Sequence, residues 1–205
     1  MYVPAHFAAP DDALDQLLAA PGAVDLVSTT AGGLTATTLP MLHDPAAGTL
    51  AGHLARTNPQ WRDSVGDVLV IVRGPDAYVS PAWYASKAEH GRVVPTWDYV
   101  LAHVHGELVV HDDVDWLAAH VRRLTATHES ARPEPWTVSD APEKYVAGQL
   151  RAIVGVEVRI RRVEAKWKLS QNRPGADIDG VVAGLTADGR PDVAAAVQAA
   201  RPADR

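Results

Sequence analysis

The chain has 205 residues, 47% of them apolar and 21% charged, with a formal net charge of −6 at pH 7. These are the proportions of a soluble globular chain, too apolar for full disorder, and no stretch nears the ~18 uninterrupted apolar residues of a membrane helix. The absence of cysteine excludes disulfide scaffolds, thiolate zinc sites, cysteine nucleophiles and iron–sulfur clusters, and the acidic balance excludes a global electrostatic grip on nucleic acid.

Residues 1–7 carry neither a basic n-region nor an apolar h-region, so no signal peptide is expected; with no cysteine, this points to the cytoplasm. Asp11 and Asp12 precede Leu14, Leu17 and Leu18, which reads as a short capped helix ended by Pro21-Gly22. Residues 24–30 read as a strand, Gly32-Gly33 as a turn, and 34–42 as the hairpin partner. A turn at 44–48 leads to a strand at 49–55. The apolar run 67–72 is a buried strand, and a further extended piece, 77–80, follows Gly74-Pro75. Residues 100–110 are strand-like despite Gly106. Asp112-Asp113 caps a helix whose stripe is Val114, Leu117, Val121 and Leu124. Pro133 and Pro135 break the chain, and Pro142 opens a second helix. Residues 155–167 form a long strand whose apolar phase switches from Val156, Val158 and Ile160 to Val163, Ala165 and Trp167, which predicts a bulge near Arg161–Arg162. Ala-rich helices close the chain. Strands joined by short turns cannot be parallel crossovers, so the fold class is mainly β, an antiparallel barrel or sheet with peripheral helices.

Six of the twelve aromatic residues lie between 61 and 99: Trp61, Tyr78, Trp83, Tyr84, Trp97 and Tyr99. They neighbour turn residues and polar groups, which suits a planar ligand or a subunit surface; a Trp-rich core is the alternative. Residues 151–173 carry seven Lys or Arg against two Glu. Phosphate binding is one reading; a solvated strand face is the other, and the better one for Arg159 and Arg161. The segment 53–61 offers Arg56, Thr57, Asn58 and Gln60 in one turn, able to present donors to a dianion. His103 and His105 share one strand face but have no evident carboxylate partner, and there is no HExxH helix, so no metal site is expected. His111, His120 and His128 read as solvated. No GxSxG, Walker loop or GxGxxG is present.

Five segments in order carry a family resemblance: residues 1–7, 53–61, 74–84, 94–99 and 168–173. Together they resemble the PaiB-type family, the FMN-binding negative transcriptional regulators, from residue 1 to about 190. The family pattern usually has Asn where this chain has Asp98, and often Ser where it has Ala82. The resemblance implies an FMN-binding split β-barrel of the pyridoxamine-phosphate-oxidase-like type over residues 1–190, with 191–205 as an Ala-rich tail. It implies a homodimer with FMN at the interface. The phosphate would lie near Arg56, Asn58 and Gln60, beside His53 and Leu54. Thr37, Thr38 and Leu39 would border the isoalloxazine edge through their backbone. Trp83, Trp97 and Tyr99 would wall the ring or the dimer cleft, and Lys168, Gln171, Asn172 and Arg173 would close the site from the second chain.

Four functions compete. The first is an FMN-binding regulator; the second is an FMN-dependent oxidoreductase or flavin reductase with no direct DNA role. The third is a dimeric interaction protein without flavin, and the fourth a haem-binding relative ligated through His53 or His103. No helix–turn–helix pattern is visible, and neither central helix has a dense basic face, so a direct DNA role has little support from the residues.

Overall fold

The structure is a computed structural model that describes residues 1–19 and 22–202. Pro21 of the expected helix terminator and the last three residues of the expected tail lie outside the described residues.

Among the described residues, seven strands join in the order β2-β1-β5-β6-β7-β4-β3. They are β1 (Ala23–Thr30), β2 (Gly33–Pro40), β3 (Leu42–Asp44), β4 (Thr49–Ala55), β5 (Val65–Val79), β6 (Thr96–His111) and β7 (Ile153–Lys168). The β1–β2 hairpin pairs antiparallel from Thr30↔Gly33 to Ala23↔Pro40, β3 pairs with β4 across the 44–48 turn, and β4 pairs antiparallel with β7. The helices are α1 (Ala13–Ala19), α2 (Gln60–Asp63), α3 (Ser86–His90), α4 (Val114–Glu129), α5 (Glu143–Arg151), α6 (Gly175–Ala187) and α7 (Pro191–Ala199). Asp113 caps α4 as expected, its carboxylate accepting from the Trp116 backbone N–H at 2.8 Å.

The chain divides into two compact units. One comprises Met1–Ala13, Arg73–Ala102 and Glu164–Arg205, the other Leu14–Val72 and His103–Val163. The core of the second unit is built from Leu26, Leu50, Val70, Val104, Val154, Val156 and Val158, all inaccessible to solvent. In the first unit Val79, Val181, Leu185, Val193 and Val197 play that part. The segment expected as a tail therefore contains α7, a helix that buries Val193 and Val197 in that core.

Two strand readings change. The pieces expected at 67–72 and 77–80 are one strand, β5, which runs through Gly74-Pro75. Its buried residues are Val68, Val70 and Val72 before that dipeptide and Ala77 and Val79 after it, so the alternation inverts there. In β7 the buried alternation of Val154, Val156 and Val158 gives way to three exposed residues at 161–163, and 165–167 are half-buried without alternation. The opposite apolar phase read from Val163, Ala165 and Trp167 does not become a second buried face.

Candidate functional site

In the second unit, β4 delivers the chain to the turn at 56–60. Arg56 is anchored on both sides of its Cα. Its backbone N–H donates to Ala152 O at 2.8 Å, and Nε donates to Arg151 O at 2.8 Å. Nη1 and Nη2 grip the Asp112 carboxylate, and Nη2 also donates to Ile153 O at 2.9 Å. This fork-on-fork pairing holds the Asp112 carboxyl below the usual carboxylate range and raises Arg56 further. A cation expected to be free for phosphate thus already carries a carboxylate.

The neighbouring amides are also engaged. Asn58 Oδ1 accepts from the Gln60 backbone N–H at 3.0 Å, and Asn58 Nδ2 donates to Thr37 Oγ1 at 2.9 Å. Thr37 Oγ1 donates to Gln60 Oε1 at 2.5 Å, and Gln60 Nε2 donates to Leu26 O at 2.9 Å and Ser28 Oγ at 3.1 Å. Gln60 is buried, so every polar atom of its amide faces inward. The network locks the 56–60 turn against β2, the end strand of the sheet. Thr38 lies on the exposed face, donating to Asp25 at 2.6 Å, whereas Leu39 and Leu54 are core residues.

His53 is separated from that network by the pleat of β4, since Leu54 is buried on the opposite face. Its Nδ1 lies 3.3 Å from Nε2 of His120. His120 corrects the sequence reading: it is wholly buried, not solvated. The signal was present, because His120 falls three residues after Leu117 and four before Leu124, on the stripe that α4 buries. Val114, assigned to that stripe, is exposed. Burial lowers the pKa of both imidazoles, and that of His120 to about 4. Trp116 stacks on His120 with ring centroids 5.2 Å apart and on His111 at 4.2 Å.

In the first unit the segment after β7 folds onto Asp98. Ser170, in the left-handed region at φ 62°, donates its hydroxyl to Asp98 Oδ2 at 2.7 Å. Lys168 Nζ donates to Thr96 Oγ1 at 2.8 Å and Trp97 O at 2.6 Å, and lies 3.5 Å from Asp98 Oδ1. Asp98 is fully buried, and desolvation raises its pKa despite Ser170 and Lys168. An acid whose folded pKa is raised loses stability as pH climbs from the ordinary carboxylate range through the folded pKa. Asp98→Asn is therefore expected to raise the urea midpoint at pH 7.5 and to leave it unchanged near pH 3. A lower midpoint at pH 7.5 would show that the Lys168 attraction outweighs desolvation.

The remaining expected site residues of this unit differ in availability. Trp83 packs on α6: a Cβ at Gly184 would lie 2.2 Å from its ring, and one at Gly180 would lie 1.9 Å from its carbonyl oxygen. One face of that indole is thereby occupied by α6. Trp97 is half exposed, with Nε1 donating to Asp76 at 3.1 Å, while Tyr99 faces the Lys166 ammonium at 5.5 Å. Gln171 closes its own turn, accepting from Leu169 N–H and donating to Trp167 O. Asn172 is exposed, and the Arg173 guanidinium lies 4.5 Å over the buried Tyr84 ring. The basic segment is not a bare positive stripe. In the second unit Arg161 pairs with Asp67 at 2.6 Å and Glu107 at 3.1 Å, and Arg159 lies 3.7 Å from Glu157.

Among the described residues, no helix is long and apolar enough to cross a membrane. Among solved structures, the fold resembles a conserved hypothetical protein of Mycobacterium tuberculosis (TM-score 0.58, 11% identity, 85% of this chain and 94% of that one). It also resembles the flavocytochrome Anf3 of Azotobacter vinelandii (TM-score 0.57, 13% identity, 81% and 68%). The fold is thus the expected one, an antiparallel split β-barrel with peripheral helices. Among proteins of similar sequence, "Protease synthase and sporulation protein PAI 2" of Bacillus subtilis is 33% identical over 145 residues, 70% of this chain and 67% of that protein. An uncharacterized protein of Aspergillus fumigatus is 34% identical over 176 residues, 69% and 67%. The family model described as "Putative FMN-binding domain" matches residues 1–162, and the chain belongs to that PaiB-type family.

Proposed function

We propose that the chain binds FMN, as a homodimer, with the phosphate at the 56–60 turn and the isoalloxazine edge along the backbone of β2. The observation that carries this is the Asn58–Thr37–Gln60 network. It ties the turn that offers Arg56 to an end strand whose outer backbone edge has no strand partner among the described residues. The residues fit the group at those two places: a half-buried guanidinium for a dianion, and backbone donors and acceptors for a flavin edge. Asp112 would share or yield Arg56. Lys168 and Arg173, engaged with Asp98 and Tyr84, and the exposed Trp97 are the groups a second copy would bring. Bound FMN would supply one- and two-electron redox chemistry; the chain's part is to hold it and to set the charge around it.

The test pairs FMN with riboflavin, each titrated by flavin fluorescence. Arg56→Ala is expected to weaken FMN by about ten- to a hundredfold, the range of a lost charge-assisted hydrogen bond, and to leave riboflavin unchanged. Asp112→Asn is expected to strengthen FMN relative to riboflavin. Equal losses for both ligands would mean that Arg56 serves the fold, and no loss would place the anion elsewhere.

We propose a regulatory role by resemblance to the family. A second reading, a flavin-dependent oxidoreductase, is favoured by the pairing of Arg159 and Arg161 with carboxylates, which removes cations from a phosphate-backbone footprint. A DNA mobility shift that weakens steeply with salt would support the regulator; no shift at low salt would support the enzyme.

A further inference from the structure

The second unit contains a cleft that is separate in chemistry from the polar turn. It has a volume of about 210 Å³ and lies among α4, α5 and the short 3-10 helix Val138–Asp140, with one wall from β4 and β7. Val121, Val138, Ala141, Val146, Leu150 and Ile153 supply apolar surface. Trp136 and Tyr145 line it while remaining 48% and 60% exposed, so their rings are available at the mouth. Among the described residues, none that lines it is Asp, Glu, Lys or Arg. The polar groups are His53, Gln149, the Trp136 indole N–H and the Tyr145 hydroxyl.

The state of His53 follows from the residue behind it. His120 Nδ1 is buried with no hydrogen-bond partner among the described residues. A buried N–H without an acceptor is rarer and costlier than an unused lone pair, so Nδ1 carries the lone pair. His120 then holds its proton on Nε2 and donates it to His53 Nδ1 across 3.3 Å. That assignment places the His53 proton on Nε2, the one ring nitrogen left to the cleft. Burial keeps both imidazoles neutral at pH 7. The cleft wall therefore offers a neutral N–H donor in apolar, aromatic surroundings.

We propose that this cleft binds an uncharged planar aromatic molecule bearing a carbonyl acceptor, with His53 Nε2–H donating to the carbonyl oxygen and Trp136 and Tyr145 flanking the ring. Charge selects the class: an anion or a cation would be desolvated among these side chains with no ion to pair it. Size narrows it. Benzene occupies an apolar cavity of about 150 Å³, and drug-sized ligands take about 300 Å³ or more. The volume here suits one substituted ring or two fused rings. The donor narrows it further, because a hydrocarbon of the same shape would leave the imidazole N–H without a partner. The inference does not depend on flavin binding, and its test uses protein without added FMN.

The probes are 2-acetonaphthone, 2-isopropylnaphthalene, which has the same shape without the carbonyl, and 2-naphthoate, which carries a charge. Each is titrated by calorimetry and followed by chemical shifts of the His53 ring and the Trp136 indole. The ketone is expected to bind saturably, about tenfold or more tighter than either other probe. His53→Phe should erase the preference for the ketone over the hydrocarbon while retaining the hydrocarbon's affinity. Ala141→Trp, which fills the cleft while leaving both histidines in the sequence, should abolish binding of both. Circular dichroism establishes that each variant is folded, and if His53→Phe is not, Ala141→Trp together with the ketone-induced shift of His53 decides the matter. The absence of saturable ketone binding would overturn the proposal, as would a ketone preference that survives His53→Phe. So would a change in oligomeric state on Ala141→Trp, which would make the cleft an interface between copies of the chain.

Discussion

Alanine at Gly106 is expected to cost about 3 kcal/mol or more, read as a fall in the urea midpoint at an unchanged m-value. Gly106 sits in β6, the neighbour of β7 in the sheet. A Cβ there would lie 2.2 Å from Arg159 O and 2.8 Å from Val158 Cγ1. The obstacle is backbone, which cannot rotate away as a side-chain tip can. Arg159 is also held from its other side, paired with Thr49 of β4, so retreat of β7 would disturb a second ladder. Overpacked cores lose about 1–3 kcal/mol where side chains can repack, and this site has no such freedom. Gly32→Ala is the control: its Cβ would meet only Thr30 Oγ1, at an ordinary 3.7 Å, and a change within about 0.5 kcal/mol is expected. A Gly106→Ala midpoint equal to that of Gly32→Ala would show that β6 and β7 can separate freely.

The His53–His120 pair makes the fold acid-sensitive well above the carboxylate range. In the unfolded chain a histidine protonates near 6.5; in the fold His120 stays neutral down to about 4. Between those values the unfolded chain binds the extra proton, so stability falls as pH drops from about 6.5 and the loss is complete below about 4. The gap corresponds to about 3 kcal/mol. His53, also lowered by burial, adds in the same direction. The groups that press on His120 are His53 from β4 and Arg123 from its own helix, and both disfavour its cation. His120→Phe keeps an aromatic ring stacked on Trp116 and has nothing to protonate. Its unfolding free energy, measured in urea at pH 4.5, 5.5 and 7.5, is expected to fall with acid less steeply than that of the parent, by about 2–3 kcal/mol over the range. Parallel slopes for the two proteins would mean that acid acts elsewhere.

Local pattern alone located most elements. Alternation and turn residues delimit β1, β2 and β4 within a residue or two, because a two-residue turn and a half-buried strand are written in adjacent positions. Asp113 announced the start of α4, because a cap is satisfied within its own first turn. Gly74-Pro75, by contrast, looked like punctuation and lies inside β5, since strand continuity is decided by neighbouring strands. Family membership was legible in ordered motifs spread along the chain, which need no folding to be read.

The disposition of the site residues was decided by tertiary structure. Arg56 and Asp112 are 56 positions apart and Gln60 and Leu26 are 34 apart, yet each pair meets. A basic residue in a list carries no mark of the carboxylate that will neutralise it, and an amide no mark of the carbonyl it will reach. His120 fell on an apolar stripe and still read as solvated, because a histidine is buried only where a second group takes its proton or its lone pair. Composition and local spacing determine strands, caps and turns because those bonds close within a few residues. Which polar side chains remain free for a ligand depends on bonds that close over long stretches of chain, and only the assembled sheet makes them.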